Sequence, residues 1–476
     1  MIFNSLTFLL FLPTVVLLYW ILPRNPRIIM VFFSSLIFYG FWRVEFIPVM
    51  LISVFSDYYI SLKMPSANQF LKKRLVVLSI IINLSLLFYF KYLIFFANNA
   101  IGFINILGFE IDPIFLNIIL PLGISFYTFQ TISYSVDVYR GFIKPEKNFF
   151  LYASYVTFFP QLVAGPVLRA SEVIHQLSKR ASFSKQLLIN GTKRIIYGLF
   201  LKVVLADNIA PLVDTGFSIT ASELSALDVL TLSFLFGFQI YFDFSAYSHI
   251  AIGCALLMGI KFPENFNFPY LANSPKDFWK RWHISLSSWI RDYLYLPLTG
   301  TKVVNKSTGG IVEASSRNIN ASLFYTWAIM GLWHGANWTF VVWGLYHAVF
   351  IFLHRKISSY KSILSNNKII IKIGAFLTLP LMMLGWIPFR ADSIEVTFKL
   401  WSKLFNISNY TYLGMRENTY LVAFVLLIGM YLIYFINNIR NLKKISNRFN
   451  FLLYPLIISL IFIFLRPINQ FIYFQF

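Results

Sequence analysis

The apolar stretch LVVLSIIINLSLLFYFKYLIFF, residues 75–96, is long enough to cross a bilayer as one α-helix. A helix rises about 1.5 Å per residue and the hydrocarbon core is about 30 Å thick, so about 20 apolar residues suffice. Residues 421–436 form a comparable run, and others recur from one end of the chain to the other. The pattern predicts an all-α polytopic membrane protein with about eleven hydrophobic helices, some of them re-entrant.

Composition excludes a water-soluble fold. The 476 residues are 58% hydrophobic, 19% aromatic and only 12% charged, whereas soluble domains are about 25% charged. Because apolar runs occur throughout, residues 1–476 are predicted to form a single membrane-embedded domain. We interpret Ile2 to Leu22 as a first span that is kept, since it follows no basic segment and lacks a small-residue cleavage site.

The net charge of +21 indicates orientation in the membrane and not nucleic-acid binding, because the basic residues lie in short loops between apolar runs. Such loops are expected on the cytoplasmic side. They lie at residues 24–27, 63–74, 140–147, 169–194, 261–317, 355–372 and 440–448. Segments 98–112 and 213–228 contain no Lys or Arg and are expected outside, as is the loop 391–420 by alternation.

Two apolar segments do not fit a simple crossing. Residues 149–168 lie between basic loops and contain Pro160 and the pair Gly165-Pro166, which favours a broken, re-entrant segment lining a cavity. Residues 320–353 would form a helix of about 51 Å, too long for one upright span. This second segment must break or turn back, and Gly331 and Gly335 are the expected places.

Histidines are the main candidates for chemistry. The single cysteine, Cys254, excludes intrachain disulfides and Cys-rich metal sites, and no metal site is predicted. His334, in the segment WHGANW at 333–338, lies deep in an apolar run, where an ionisable side chain is costly and indicates function. The alternative is a histidine that only hydrogen-bonds a neighbouring helix.

Residues 274–297 begin like a helix. Ser274 suits the N-cap, Pro275 the first helical position and Asp277 the positive end of the helix dipole. Apolar residues recur every three or four positions, which predicts an amphipathic helix in the cytoplasmic interface. Its basic residues, expected near lipid phosphates, are Lys276, Lys280, Arg281 and Arg291. His283 adjoins the apolar stripe and faces either lipid headgroups or a protein cavity.

Asp243 lies in the apolar run YFDFS at 241–245 and must be paired or water-lined. A structural ion pair and a functional role are both open. The sequence contains no Gly-x-Ser-x-Gly elbow, P-loop or His-Glu-x-x-His motif. From the residues alone, two classes remain: a membrane transferase with His334 as general base, and a proton-coupled exporter with His334 in a proton relay.

Several blocks resemble the membrane-bound O-acyltransferase family, in particular its bacterial alginate O-acetyltransferase branch. They occur in family order over most of the chain: PLGISFYTFQ (121–130), FPQLVAGP (159–166), YFDFS (241–245), FWKRWHIS (278–285), LWHG (332–335) and FIYFQF (471–476). The chain departs from the branch pattern at Ala246, His249 and Thr299, where glycine, aspartate and glycine are usual. Details of acceptor and partner recognition are therefore not carried over.

The resemblance implies a ring of tilted helices around a central tunnel. It makes His334 the catalytic histidine and His283 a second functional histidine beside the tunnel. It further implies a bacterial inner-membrane enzyme that uses an acyl thioester, acetyl-CoA, as donor substrate without a bound cofactor. The implied partner is a periplasmic SGNH-type acetyltransferase, and the implied final acceptor is an exported polysaccharide, as in alginate acetylation. Peptidoglycan O-acetylation and teichoic-acid D-alanylation stay open as alternatives.

The expected mechanism follows from these roles. His334 takes the proton of an acceptor hydroxyl, whose oxygen attacks the thioester carbonyl. His283 positions the donor or assists proton transfer, and Asn337, expected one turn after His334, donates to the oxyanion or holds the imidazole tautomer. The predicted substrate-binding residues are Asn337, Trp333, Lys280, Arg281 and Asp243.

Overall fold

The structure is a computed structural model that describes residues 1–179, 182–301, 318–359, 368–438, 450–466 and 471–472. Within these ranges the chain forms α-helices joined by turns, loops and short π- and 3₁₀-helical segments, and it contains no β-strand. The all-α prediction is confirmed for these residues. The predicted basic loop 440–448, residues 302–317 of the loop 261–317 and residues 360–367 of the loop 355–372 lie outside them.

The helices are numbered in chain order. Those before residue 220 are α1 Leu6–Ile21, α2 Arg24–Gly40, α3 Ile47–Lys63, α4 Gln69–Leu87, α5 Leu93–Ile106, α6 Ile124–Tyr139, α7 Phe149–Thr157, α8 Ala170–Ser178, α9 Lys185–Leu199 and α10 Asp207–Ser218. The others are α11 Ala226–Leu257, α12 Pro275–Arg281, α13 Ile284–Ile290, α14 Leu296–Leu298, α15 Ile319–His334, α16 Trp338–Ser359, α17 Lys368–Leu384, α18 Ile387–Arg390, α19 Ile394–Lys403, α20 Glu417–Asn438 and α21 Asn450–Ile463.

Several helices are apolar and long enough to cross a membrane. Within the described ranges there are five: Val44–Lys63, Gln69–Ile106, Lys185–Ser218, Ala226–Leu257 and Trp338–Ser358. Shorter apolar helices lie at Leu6–Ile21, Phe376–Arg390, Glu417–Leu432 and Leu452–Ile463. These helices support a multi-pass membrane protein, whereas the number of about eleven crossings and the central tunnel remain predictions.

The long apolar segment 320–353 breaks where the sequence predicts. Helix α15 ends at His334, Gly335 is extended, and α16 begins at Trp338, so the two helices form a hairpin. A Cβ atom on Gly331 would lie 2.2 Å from the carbonyl oxygen of Phe340. Because only glycine lets two backbones approach so closely, this contact fixes His334 at the turn of the hairpin.

The segment 149–168 is also broken, as predicted. Helix α7 ends at Thr157, and the chain continues through buried turns without regular helix as far as Arg169. Pro160 and Gly165 lie within this stretch. Val163, at its centre, contributes to the wall of a cavity described below.

The amphipathic helix predicted at 274–297 is not continuous. Ser274 caps α12 by accepting a hydrogen bond from the Asp277 backbone N–H, as expected. However, α12 ends at Arg281 and His283 adopts a left-handed conformation with φ of 42°, after which α13 begins. The backbone N–H of Ile284 instead donates to the carbonyl oxygen of Asn265.

The apolar stripe of this segment packs inside the protein and does not lie on lipid. Phe278, Trp282 and Leu286 are each at most 2% exposed. Their rings and side chains join the main hydrophobic core, which also contains residues of α11. Sequence periodicity shows that a stripe is apolar but not whether protein or lipid covers it, which explains the difference from the expected interfacial anchor.

Contacts between loops follow the predicted sides of the membrane. The side chain of Gln176 bonds to the backbone of Lys261, and both residues belong to loops expected in the cytoplasm. Arg390, beside the loop 391–420, pairs with Asp214 at 3.0 Å, in the other loop expected outside. These contacts put loops together that are predicted to share a side, whereas the side that faces the cytoplasm stays a prediction.

Candidate active site

His334 is the last residue of α15 and lies at the turn of the α15–α16 hairpin. It is only 5% exposed. The centre of its ring is 4.8 Å from that of Trp343 and 5.3 Å from that of Phe389, both in edge-on geometry. Aromatic walls therefore shield the imidazole from solvent on these sides.

A π-helical segment, Phe88–Tyr92, supplies two hydrogen-bond donors to the end of α15. Lys91 Nζ donates to the carbonyl oxygens of Trp333, at 2.6 Å, and His334, at 2.9 Å. The Tyr92 hydroxyl donates to the carbonyl oxygen of Leu332 at 3.1 Å. The last carbonyls of a helix lack intrahelical partners and carry partial negative charge, so an ammonium group is favourable there.

A cavity of about 240 Å³ has His334 in its wall, and we call it the histidine cavity. Lys91, Trp333 and Phe126 line the same cavity. So do residues 119–124, which follow the loop expected outside. The histidine cavity thus brings His334 and Lys91 together next to the segment that follows a loop predicted to lie outside.

A second cavity, of about 430 Å³, lies between α12, α13, α15 and α16, and we call it the basic cavity. Its exposed or half-exposed cations are Lys276, Lys280, Arg291 and Arg355. Trp327 and Met330 contribute buried apolar wall. Met330 precedes His334 by one helical turn, so the basic cavity and the histidine cavity adjoin successive turns of α15.

His283 is buried behind the wall of the histidine cavity. Its ring lies 6.5 Å from the ring of Phe126, and its Nδ1 lies 3.1 Å from Asn265 Oδ1. Asn265 also donates to Ser248 Oγ at 3.0 Å, which orients the amide. Since Oδ1 can only accept, His283 Nδ1 carries the proton and Nε2 holds a lone pair. Among the described residues, Nε2 has no hydrogen-bond partner.

Asp243 forms the ion pair that the sequence left open. Its carboxylate accepts a hydrogen bond from Lys202 Nζ at 2.6 Å and from the backbone N–H of Ile472 at 2.7 Å. Lys202 also pairs with Asp207 at 2.9 Å. These residues line a third cavity of about 530 Å³, the outer polar cavity, which Phe389 separates from His334.

Asn337 also lines the outer polar cavity, but the expectation that it lies one turn after His334 is wrong. Because α15 ends at His334, Asn337 belongs to the next helix, where its Oδ1 accepts a hydrogen bond from the Thr339 backbone N–H at 3.0 Å. Its side-chain oxygen therefore caps α16. That bond explains its position without an oxyanion.

The remaining predicted substrate-binding residues divide between the cavities. Trp333 lines the histidine cavity and stacks on Phe129 at 4.9 Å. Lys280 lines the basic cavity. Arg281 turns away and pairs with Asp277 at 3.0 Å, so the structure does not bring it to the other cations.

Sequence reasoning missed two residues near His334. Lys91 stands within the apolar stretch that predicts a span, and a charge there is as costly as that of Asp243. His347 is fully buried, and neither of its ring nitrogens has a hydrogen-bond partner within the described ranges. Lys91 bonds to the carbonyl oxygen of His334, and the ring of His347 lies 5.0 Å from the ring of Trp343, which also contacts the His334 ring.

The sequence matches the model of the membrane-bound O-acyltransferase family over residues 143–387. It is 36% identical over 417 residues to the probable alginate O-acetylase AlgI of Azotobacter vinelandii, and the aligned region covers 86% of this chain and 79% of that relative. It is also 36% identical over 436 residues to the peptidoglycan O-acetyltransferase of Helicobacter pylori, covering 84% and 79%.

A third relative, the teichoic acid D-alanyltransferase of Bacillus subtilis, is 31% identical over 262 residues, or 53% of this chain and 64% of that protein. The family match contains His283 and His334, whereas Lys91 lies outside it.

Proposed function

The chain belongs to the membrane-bound O-acyltransferase family and is an acyltransferase, and we propose that it moves an acetyl group from a cytoplasmic thioester to a hydroxyl acceptor on the outer side. The proton-coupled exporter is thereby set aside. The observation that carries the proposal is the position of His334, in the wall of the histidine cavity and one turn from the basic cavity.

The donor is acetyl-CoA, bound at the basic cavity. Coenzyme A carries several phosphate charges, and the four cations of this cavity suit them. The apolar wall at Trp327 and Met330 accommodates the pantetheine arm, whose thioester end then points towards His334. A donor attached to a carrier protein would present a single phosphodiester and would need fewer of these charges.

The chemistry is general-base catalysis by His334. Its imidazole takes the proton of the acceptor hydroxyl as the hydroxyl oxygen attacks the thioester carbon. His283, held by Asn265 with the lone pair on Nε2, assists as a second proton acceptor or as a positioning residue. Trp333 packs beside the donor in the histidine cavity, and Asn337 and Asp243 border the outer side of the path.

The acceptor is an exported polysaccharide of the bacterial cell surface, reached through a periplasmic SGNH-type acetyltransferase, and the enzyme lies in the inner membrane. The names of the relatives that cover most of this chain, an alginate O-acetylase and a peptidoglycan O-acetyltransferase, support O-acetylation. The D-alanyltransferase aligns over only 53% of the chain, which makes D-alanylation the weaker alternative.

The test is release of free CoA from acetyl-CoA by the purified protein in nanodiscs, with a periplasmic fraction as acceptor source. His334→Ala should abolish acetyl transfer, because no base remains to take the hydroxyl proton. His175→Ala is the matched control, since His175 is an exposed histidine on α8, and it should leave transfer unchanged.

The same assay examines the donor site. Lys280→Gln should raise the KM for acetyl-CoA, and the effect should shrink at high salt, where exposed charges are screened. Transfer by a folded His334→Ala protein at the wild-type rate would contradict the proposed mechanism. Absence of turnover in the wild type with acetyl-CoA would contradict the proposed donor.

A further inference from the structure

Lys91 has features that a merely structural lysine does not require. It lies in a π-helical segment, a local distortion that is frequent at functional sites. Its ammonium group reaches the end of α15 and bonds to the carbonyl oxygens of Trp333 and His334. Among the described residues no carboxylate pairs with Lys91, so its positive charge is held by carbonyl dipoles.

The geometry leaves part of this charge available to a substrate. An ammonium group has three N–H donors, and two of them serve the carbonyls of α15. Lys91 shares the wall of the histidine cavity with His334, so its third donor is available to a group bound in that cavity, where the reacting carbonyl must lie. Tyr92, which bonds to the same helix end through Leu332, does not line the cavity.

We propose that Lys91 is a catalytic residue that stabilises the oxyanion of the acyl-transfer reaction, an inference that rests on the proposed function. The acceptor oxygen bonds to the thioester carbon, its proton passes to His334, and the carbonyl π electrons move to oxygen. The resulting oxyanion lies beside the Lys91 ammonium. On collapse the C=O bond reforms, the C–S bond breaks, and the leaving sulfur takes the proton from His334. Lys91 keeps its protons throughout.

Lys91 replaces Asn337 as the oxyanion donor. The side-chain oxygen of Asn337 caps α16 and the residue lines the outer polar cavity, across Phe389 from His334. A preorganised cation in a site closed to water gives stronger stabilisation than a neutral amide. The cost of burying the ammonium is offset by the carbonyl partners at the helix end.

The decisive variant is Lys91→Gln, whose amide can still donate to the carbonyls of α15 but carries no charge. Its kcat should fall by about 10²–10³-fold, while the KM for acetyl-CoA stays within about threefold of the wild-type value, since the donor phosphates bind elsewhere. Tyr92→Phe is the matched control: it removes a hydrogen bond from the same helix end and should keep kcat within about threefold.

Three results would separate the possibilities. Wild-type kcat in Lys91→Gln, or a change confined to KM, would overturn the role of Lys91 while leaving the proposed function intact. An equal loss in Tyr92→Phe would make capping of α15 the cause. Loss of turnover in the wild type itself would refute the proposed function first.

If Lys91→Gln does not fold, Lys91→Cys decides, because the only native cysteine, Cys254, is fully buried. Aminoethylation of the folded Lys91→Cys protein restores an ammonium group at nearly the original position. It should raise kcat at least about tenfold. Complete alkylation, verified by mass spectrometry, without any gain in kcat would overturn the proposal.

Discussion

Single residues show what a sequence can and cannot disclose about this site. His334 is recognisable from the sequence because it lies deep in an apolar run, where an ionisable side chain is costly and therefore indicates a function. The same reasoning applies to Lys91, which is a single charge within a stretch that predicts a span. Because that stretch is long enough to cross a bilayer in spite of the charge, the span is predicted without assigning a role to Lys91. Its carbonyl partners lie more than 240 positions away along the chain, so no local pattern connects them.

His283 illustrates the same limit. Its neighbours in sequence predict a helical stripe, whereas its structure depends on Asn265, which orients the ring and supplies a backbone bond to Ile284. An imidazole is useful only when its lone pair points in a defined direction. The residue that sets the direction is not recognisable from sequence spacing.

A double-mutant cycle between His283 and Asn265 tests this dependence. His283→Ala and Asn265→Ala should each lower kcat, by about tenfold or more, because either change removes the oriented Nε2. The double variant should be no slower than the slower single variant, since both act through one group. Steady-state rates, corrected for folded protein, provide the comparison.

Ser248→Ala is the control for that cycle. It removes the acceptor of the hydrogen bond that the Asn265 amide donates but leaves the bond between Asn265 and His283, so kcat should fall less than in Asn265→Ala. Fully additive effects of Asn265→Ala and His283→Ala would show that the two residues act independently.

At the level of helices, the sequence predicts some interruptions of a helix well, but it does not show that a segment with a helical pattern continues as one helix. Pro160 and Gly165 marked the break in 149–168, and excess length together with Gly335 marked the hairpin of α15 and α16. The interruption at His283 gave no such signal, because no glycine or proline lies there and residues other than glycine uncommonly adopt a left-handed conformation. Long-range hydrogen bonds, and not local preference, impose that conformation.

The hairpin predicts a specific sensitivity at Gly331. In Gly331→Ala the new Cβ would lie 2.2 Å from the Phe340 carbonyl oxygen, so α15 and α16 must separate. The expected cost is about 1–3 kcal/mol of stability, with a disproportionate loss of kcat because His334 shifts from its position at the turn. Thermal unfolding in detergent and the CoA-release assay measure the two effects.

Gly429→Ala, in α20, is the matched control. A Cβ on Gly429 meets no atom within 4 Å in the described structure. It should leave the unfolding temperature and the activity at wild-type values or raise the former slightly, since alanine favours helix by about 1 kcal/mol. Identical behaviour of the two alanine variants would mean that the close approach at Gly331 does not hold the hairpin.

Over the whole molecule, the charge of the loops predicts the orientation of the chain, and the length of the apolar runs predicts the class of fold. The loops rich in Lys and Arg are predicted to share one side, and Gln176 and Lys261 are in contact within that set. Asp214, in a loop predicted on the other side, pairs with Arg390 beside the loop 391–420. The number of membrane spans is harder to predict from the sequence. Helices such as Leu6–Ile21 are shorter than a full crossing, and sequence cannot say whether tilt or partial insertion accommodates them.

The orientation itself is testable by cysteine labelling in a Cys254→Ala background, in which no native thiol remains. Ser66→Cys, in the exposed loop 63–74, and Ser222→Cys, in the exposed loop 213–228, are the two probes. A membrane-impermeant maleimide should label Ser222→Cys in intact spheroplasts and Ser66→Cys only after permeabilisation. The reason is that each basic loop is retained on the cytoplasmic side during insertion. The reverse pattern would place the basic cavity outside, where no acetyl-CoA is available, and would invert the proposed direction of transfer. Labelling of both probes in spheroplasts would mean that an even number of crossings separates the two loops, which contradicts the predicted topology.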